Sequence, residues 1–187
     1  MKYPSPADIA EMKARGYDST TITEAERQSK RWPLAQQVCQ AIETAFFGVT
    51  LGSGVGLTEA RGLDDYADDA TLATYRSNDE KDDWHLIPVE ALNGCNSSLC
   101  FFDAEGMRFH LPAYLLAGLL GDDDFGITFC LTHPSDHRLS QFVLLSPGQR
   151  AAVRAFLLHI LDDPDQEFSR SYITRALNEY WTDATST

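Results

Sequence analysis

A chain of 187 residues with 43% hydrophobic and 23% charged side chains has the make-up of a folded globular protein, neither disordered nor fibrous. Its formal charge of -13 opposes binding to nucleic acid through phosphates and docking on an anionic membrane, and it favours a basic partner. Cys39, Cys95, Cys100 and Cys130 form no CxxC pair, residues 1–6 lack an apolar leader, and the apolar run from Leu111 to Leu120 is about half of what a bilayer needs. The expectation is a reduced cytosolic protein with free thiols.

The acid is unevenly placed. Residues 1–33 carry six basic and five acidic groups, whereas residues 59–83 hold nine acids (Glu59, Asp64, Asp65, Asp68, Asp69, Asp79, Glu80, Asp82, Asp83) against Arg61, Arg76 and Lys81. A triplet, Asp122-Asp123-Asp124, lies in a glycine-bounded turn. Such clusters repel and must be solvated, metal-bound or paired with a partner.

In chain order, residues 1–22 read as a loosely held extension, with Pro4 and Pro6 opposing an early helix. Thr23 and Glu26 fit a capping box, and Pro33 breaks or kinks the helix they start, which closes an N-terminal extension of residues 1–33. From there to residue 187 a single domain is expected. Leu34, Val38, Ile42, Ala45 and Phe46 predict a helix over 34–47. Gly52, Gly54 and Gly56 alternate in a loop that fits neither dinucleotide nor Walker spacing, so it reads as a mobile connector. Thr58 caps a helix to Tyr66, a second acidic helix follows over 70–77, and Pro88 opens a short one to Leu92.

The central block reads as strands. Leu99 and Phe101 alternate with Cys100 and Phe102, and Met107, Phe109 and Leu111 alternate with Arg108 and His110. With Asp103-Ala104-Glu105-Gly106 between them, this predicts a hairpin turning on a left-handed Gly106, with Phe101 and Phe109 on its buried face. Pro112 opens a buried helix to Leu120. Ile127, Phe129 and Leu131 predict a third strand, and Gln141–Leu144 a fourth. Ser146, Pro147 and Gln149 start a helix with a stripe of Val153, Phe156, Leu157, Ile160 and Leu161. A last helix over 165–181 turns Phe168, Tyr172, Ile173, Leu177 and Tyr180 inward. The fold class expected is α+β: a small antiparallel sheet of three to four strands enclosed by five to seven helices.

The block Trp84…Ile87-Pro88…Leu99-Cys100-Phe101-Phe102-Asp103-x-x-Gly106-x-Arg108-Phe109-x-Leu111-Pro112-Ala113-Tyr114 resembles a family of uncharacterised bacterial proteins known only as a domain of unknown function. Ile42-x-x-Ala45-Phe46, Asp64-x-Tyr66 and Ser146-Pro147-x-Gln149-Arg150 extend the resemblance over about 38–160, with residues 1–33 and the final helix outside it. It implies no catalytic residue.

Candidate chemistry is sparse. His133 and His137 have zinc-ligand spacing, but Pro134 lies between them and no HExxH glutamate is present, so they read as loop histidines and no metal is expected. Asp103, Arg108, His110 and Tyr114 are candidates to line a cleft beside the hairpin, with Asp103 and His110 as a general-base pair, although a turn aspartate commonly accepts backbone hydrogen bonds instead. Cys100 and Cys130 read as core residues, no GxSxG serine occurs, and Asp82-Asp83 cannot hold two carboxyls across a substrate. No cofactor is implied. The favoured reading is a non-enzymatic acidic binding domain, an immunity-type cytosolic protein that neutralises a basic toxin through Asp64, Asp65, Asp68, Asp69, Asp79, Glu80, Asp82, Asp83 and Asp122–Asp124. The alternatives are a small hydrolase or transferase, and a nucleic-acid mimic that blocks a DNA-binding protein.

Overall fold

The computed structural model describes residues 2–121 and 126–182, and Asp122, Asp123 and Asp124 lie outside them. Among the described residues there are ten α-helices and no strand: α1 (Pro6–Ala14), α2 (Ser19–Ala45), α3 (Leu57–Asp64), α4 (Asp69–Asn78), α5 (Val89–Gly94), α6 (Ala104–Leu120), α7 (Ile127–Thr132), α8 (Asp136–Gln141), α9 (Pro147–Leu161) and α10 (Arg170–Glu179). Single 3-10 turns occupy Trp84–Leu86, Asn96–Cys100 and Pro164–Gln166. The expected α+β sheet is therefore replaced by an all-helical fold.

The correction centres on α6. Asp103 is not a hairpin turn but the N-cap, its Oδ1 accepting from the amide of Gly106 at 2.7 Å. Met107, Phe109, His110, Leu111, Pro112, Ala113, Tyr114 and Leu115 are all buried. The less buried face of α6 (Ala104, Arg108, Leu116, Leu120) is apolar except at Arg108, so no polar stripe of 3.6-residue period marks the helix and alternation is the pattern that shows. Pro112 sits in its interior, where it removes one backbone hydrogen bond. The segment before it does not extend into a strand because its carbonyls are taken. Leu99 O accepts from Arg138 Nη1 (2.6 Å) and Gln141 Nε2 (3.1 Å), and Phe102 O accepts from Gln141 Nε2 (2.8 Å). Phe102, rather than Phe101, is fully buried there.

The other two strands fail for a related reason. Ile127, Cys130 and Leu131 are buried in α7 while Phe129 is exposed, the i, i+3, i+4 pattern that a six-residue run shares with alternation. Gln141 and Phe142 end α8 buried, and Val143 and Leu144 point outward.

Of the side-chain caps expected from the residues, only the Ser146–Gln149 box is in place: Thr58 lies inside α3, and Thr23 lies inside α2, where its hydroxyl donates to Ser19 O (2.8 Å). Ser146 and Gln149 form the capping box of α9, and Gly56 and Asp68 are the N-caps of α3 and α4. Pro33 lies inside α2, which starts at the Asp18 cap and runs through the expected break. Pro6 is no barrier either: it occupies the first turn of α1 behind the Ser5 capping box, a position where its missing N–H has no partner to lose. Phe168 is 93% exposed and Tyr172 is exposed, so α10 buries only Ile173, Ala176 and Leu177.

α2 lies along α9, and α6 passes through the centre against α2, α7, α8 and α9. The glycine loop is docked, not a free connector. Val55 N donates to Asp103 Oδ1 (3.0 Å) and Ser53 Oγ to Glu105 Oε2 (2.7 Å). A Cβ on Gly106 would stand 2.4 Å from Val55 O, and one on Gly54 would stand 2.6 Å from Gly106 N. Gly106 therefore serves close approach of two backbones, not a left-handed turn.

Candidate functional site

The acidic stretch divides into carboxylates consumed by the fold and carboxylates left on the surface. Gly56 offers α3 no capping side chain, and Asp79 supplies one from the end of α4: Oδ1 accepts from Thr58 N (2.8 Å) and Thr58 Oγ1 (2.7 Å), and Oδ2 from Glu59 N (3.1 Å). Asp68 caps α4 through Thr71 N (2.8 Å), which holds its carboxyl below the usual range. Glu80 accepts from the amides of Lys81, Asp82 and Asp83, and Asp83 from the ring and amide of His85; both carboxyls are lowered, chiefly by the Asp82 amide and by the His85 ring. Glu59 is buried and bound by Arg76 through both of its carboxylate oxygens, which ties α3 to α4. Asp79→Ala should lower stability by about 1–2 kcal/mol in urea unfolding, as the loss of an N-cap does. Asp82→Ala, by contrast, should leave the midpoint in place.

Asp64, Asp65, Asp68 and Asp69 are exposed and surround the turn between α3 and α4. That turn is a Schellman closure: Ala67 N donates to Gly62 O (2.9 Å) and Tyr66 N to Leu63 O (3.3 Å). The residue at the left-handed position, where glycine is customary, is Tyr66, with φ 55°. It is the sole non-glycine residue at positive φ among the described residues, and its side chain is 95% exposed. The turn is rigidly founded, since a Cβ on Gly62 would meet the Tyr75 ring at 2.8 Å. A bulky side chain thus holds a strained conformation that no packing repays. Arg61 pairs with Asp65 at 3.6 Å in solvent, a weak contact that leaves the tip acidic.

The proposed cleft does not open. His110 and Tyr114 have 0% exposure. His110 Nδ1 is 2.7 Å from Gly106 O, its ring stacks on Phe102 with centroids 4.4 Å apart, and burial pushes its pKa down to about 4. Asp103 is occupied by the Gly106 and Val55 amides, so it forms no general-base pair with His110. Tyr114 donates to Cys95 O at 3.5 Å, and Arg108 is half-buried on α6. His133 Nδ1 lies near Phe129 O (3.2 Å) and His137 Nε2 near Cys100 O (2.8 Å); no group of three metal-binding side chains exists among the described residues. Cys130 is buried, with its thiol pushed up to about 12, whereas Cys100 is exposed rather than core.

The residues alone marked Tyr66 as a helix end and as part of the Asp64-x-Tyr66 resemblance, not as a binding residue. Its signal was present in Asp64-Asp65-Tyr66-Ala67-Asp68-Asp69, an aromatic at a helix stop where glycine is expected. The buried pair Tyr3 and His159, whose hydroxyl and Nε2 lie 2.9 Å apart, left no sequence signal, because its members stand 156 positions apart.

The profile of a family of unknown function (DUF6714) matches residues 34–185, the greater part of the chain, and the protein belongs to that family. The match takes in α10, which the resemblance of the central block left outside, and it begins after α1 and the first half of α2. No curated protein and no solved structure matches the chain. Among the described residues no helix is long and apolar enough to cross a membrane.

Proposed function

We propose that this member of the family is a non-enzymatic binding domain that takes a basic protein on the α3–α4 tip, with Tyr66 as anchor and Asp64, Asp65, Asp68 and Asp69 around it. The observation that carries the reading is Tyr66 itself: strained, 95% exposed and ringed by carboxylates. Tyrosine is enriched among residues that dominate binding energy, and its ring face attracts an arginine or lysine that the carboxylates steer in. A basic toxin domain neutralised in the cytosol is the partner this chemistry fits best, and the overall charge of -13 speeds such an encounter.

Tyr66→Gly separates binding from folding. Glycine relieves the left-handed strain, so the variant should be about 1 kcal/mol more stable than the parent. The same change should weaken the complex with the basic partner, sought in the product of a neighbouring gene and measured with purified components, by about 2 kcal/mol. Asp64, Asp65 and Asp69 replaced by Asn should slow association and flatten its salt dependence. A complex whose rates ignore both sets of changes would place the interface elsewhere.

A further inference from the structure

Residues 2–15 precede the family's span and lie across it as a strap. Lys2 reaches Gly118 O near the end of α6 (3.5 Å), Tyr3 reaches His159 near the end of α9, and α1 then packs on α2. Gly16 joins the strap to α2 at φ 75°, and nothing lies within 4 Å of where its Cβ would stand. α1 is loosely seated. A cleft of about 330 Å³ lined by Ile9, Lys13, Glu26 and Lys30 runs along its seam with α2, and the Lys13–Glu26 pair (2.7 Å) is exposed on both sides, a weak contact. The rest of the extension does not swing with it, because α2 is continuous through Pro33, and Arg27 and Arg31 hold it to Asp163.

The strap's buried polar fastener is Tyr3. Its ring is 9% exposed and tilts against Trp32, and its hydroxyl lies 2.9 Å from Nε2 of His159, which is 2% exposed. Donation from the phenol leaves one orphan, Nδ1–H, whereas the other tautomer would leave both the phenol proton and Nδ1 unpaired. The Nε2 lone pair is thus both the acceptor of the fastening bond and the place where the next proton lands. Once protonated there, the imidazole has nothing left to accept with, and the buried phenol proton loses its acceptor. The charges around the ring oppose the imidazolium. Arg31 on α2, which donates to the His159 carbonyl (2.6 Å), and Lys2 on the strap act more strongly than Asp163 and Asp162 at the far end of α9. The Cys39 thiol of α2, near Tyr3, is raised by burial and adds no charge.

We propose that residues 2–15 are an acid-released strap, fastened by Tyr3 to His159 and let go when a proton from solvent takes the Nε2 lone pair. Under the strap the imidazole is held down to about 4, by burial first and then by Arg31 and Lys2, whereas a solvated histidine titrates near about 6.5. The open form therefore binds the proton more tightly, so closure is favoured above about pH 6.5 and weakens as pH falls toward about 4. From pH 7.5 to 5.5 the ratio of open to closed strap should rise about tenfold. Neither Tyr3 nor His159 lies on the α3–α4 tip, so this switch and the binding face proposed above stand or fall separately.

Hydrogen exchange of the full chain, followed by mass spectrometry at about pH 7.5 and 5.5 and corrected for the intrinsic pH dependence of exchange, reads the strap through the amides of α1. Their protection should fall about tenfold at the lower pH. His159→Gln places an amide oxygen where Nε2 stood, accepts from the phenol and does not titrate, so it should abolish the fall. His110→Phe removes the other buried imidazole and should leave the fall in α1 intact while reducing that in α6, which separates strap release from global unfolding. Tyr3→Phe, which deletes the fastening hydroxyl alone, should already lower α1 protection at pH 7.5. Protection in α1 that ignores pH in the parent, a fall that survives in His159→Gln or shrinks in His110→Phe, or a folded Tyr3→Phe variant with parental protection overturns the switch.

Discussion

Phe109→Ala should lower the free energy of unfolding by about 3–5 kcal/mol, the loss expected when a large aromatic is cut from a packed interior. Phe109 is fully buried in the middle of α6, and a domain of this kind has only about 5–15 kcal/mol in hand. Phe102→Ala should fall in the same range, and the half-buried Phe101→Ala should fall well below it. A hairpin would make Phe101 and Phe109 equivalent partners, so the contrast between Phe101 and Phe102 reads the helix directly. Gly106→Ala carries the same test with opposite sign to the usual rule. In an ordinary helix it would add about 1 kcal/mol of stability, whereas a Cβ 2.4 Å from Val55 O should remove about 1–3 kcal/mol. Chemical unfolding of these four variants, with the slope checked for constancy, decides the matter.

Stability should fall as pH drops from about 6.5 to about 4, before the carboxylates of the native caps are protonated. His110 and His159 are both held near a pKa of about 4, His110 by burial alone and His159 by burial together with the charges of Arg31 and Lys2. The folded protein keeps both rings neutral where the unfolded chain, with ordinary histidines near 6.5, takes up protons. The unfolded state therefore binds more protons through this window, and each histidine contributes up to about 3 kcal/mol that is present above pH 6.5 and lost toward pH 4. His110→Phe, which keeps a ring against Phe102, should remove about half of that pH dependence. An unfolding free energy that is flat from pH 7 to 5 in the parent chain would mean that neither imidazole is desolvated as the fold requires.

Charge and part of the local start signals were legible in the residues alone, whereas the Thr23 and Thr58 caps and the Pro33 stop do not coincide with helix ends. Ser146-Pro147-x-Gln149 started α9 where it starts, Pro88 opened its short helix, and the acid of 59–83 was located, because each of these signals acts within a turn of backbone. The residues of the central block also marked where the core sits, since Phe102, Phe109, Leu111 and Tyr114 are all buried. Tertiary structure decided the rest. Whether Met107, Phe109 and Leu111 alternate along a strand or sit in a helix depends on what covers the opposite face, and in α6 neighbours cover most of the surface and the half-buried remainder beyond the first turn is apolar except at Arg108, which erases the local period. Whether Asp79 faces a partner or caps α3 depends on a contact 21 positions away. Only the packing of α3 on α4 leaves Tyr66 alone in solvent at a backbone angle that disfavours it. Local sequence specifies what a segment can do within one turn, whereas burial, which selects among those options, is a property of chain segments far apart in sequence.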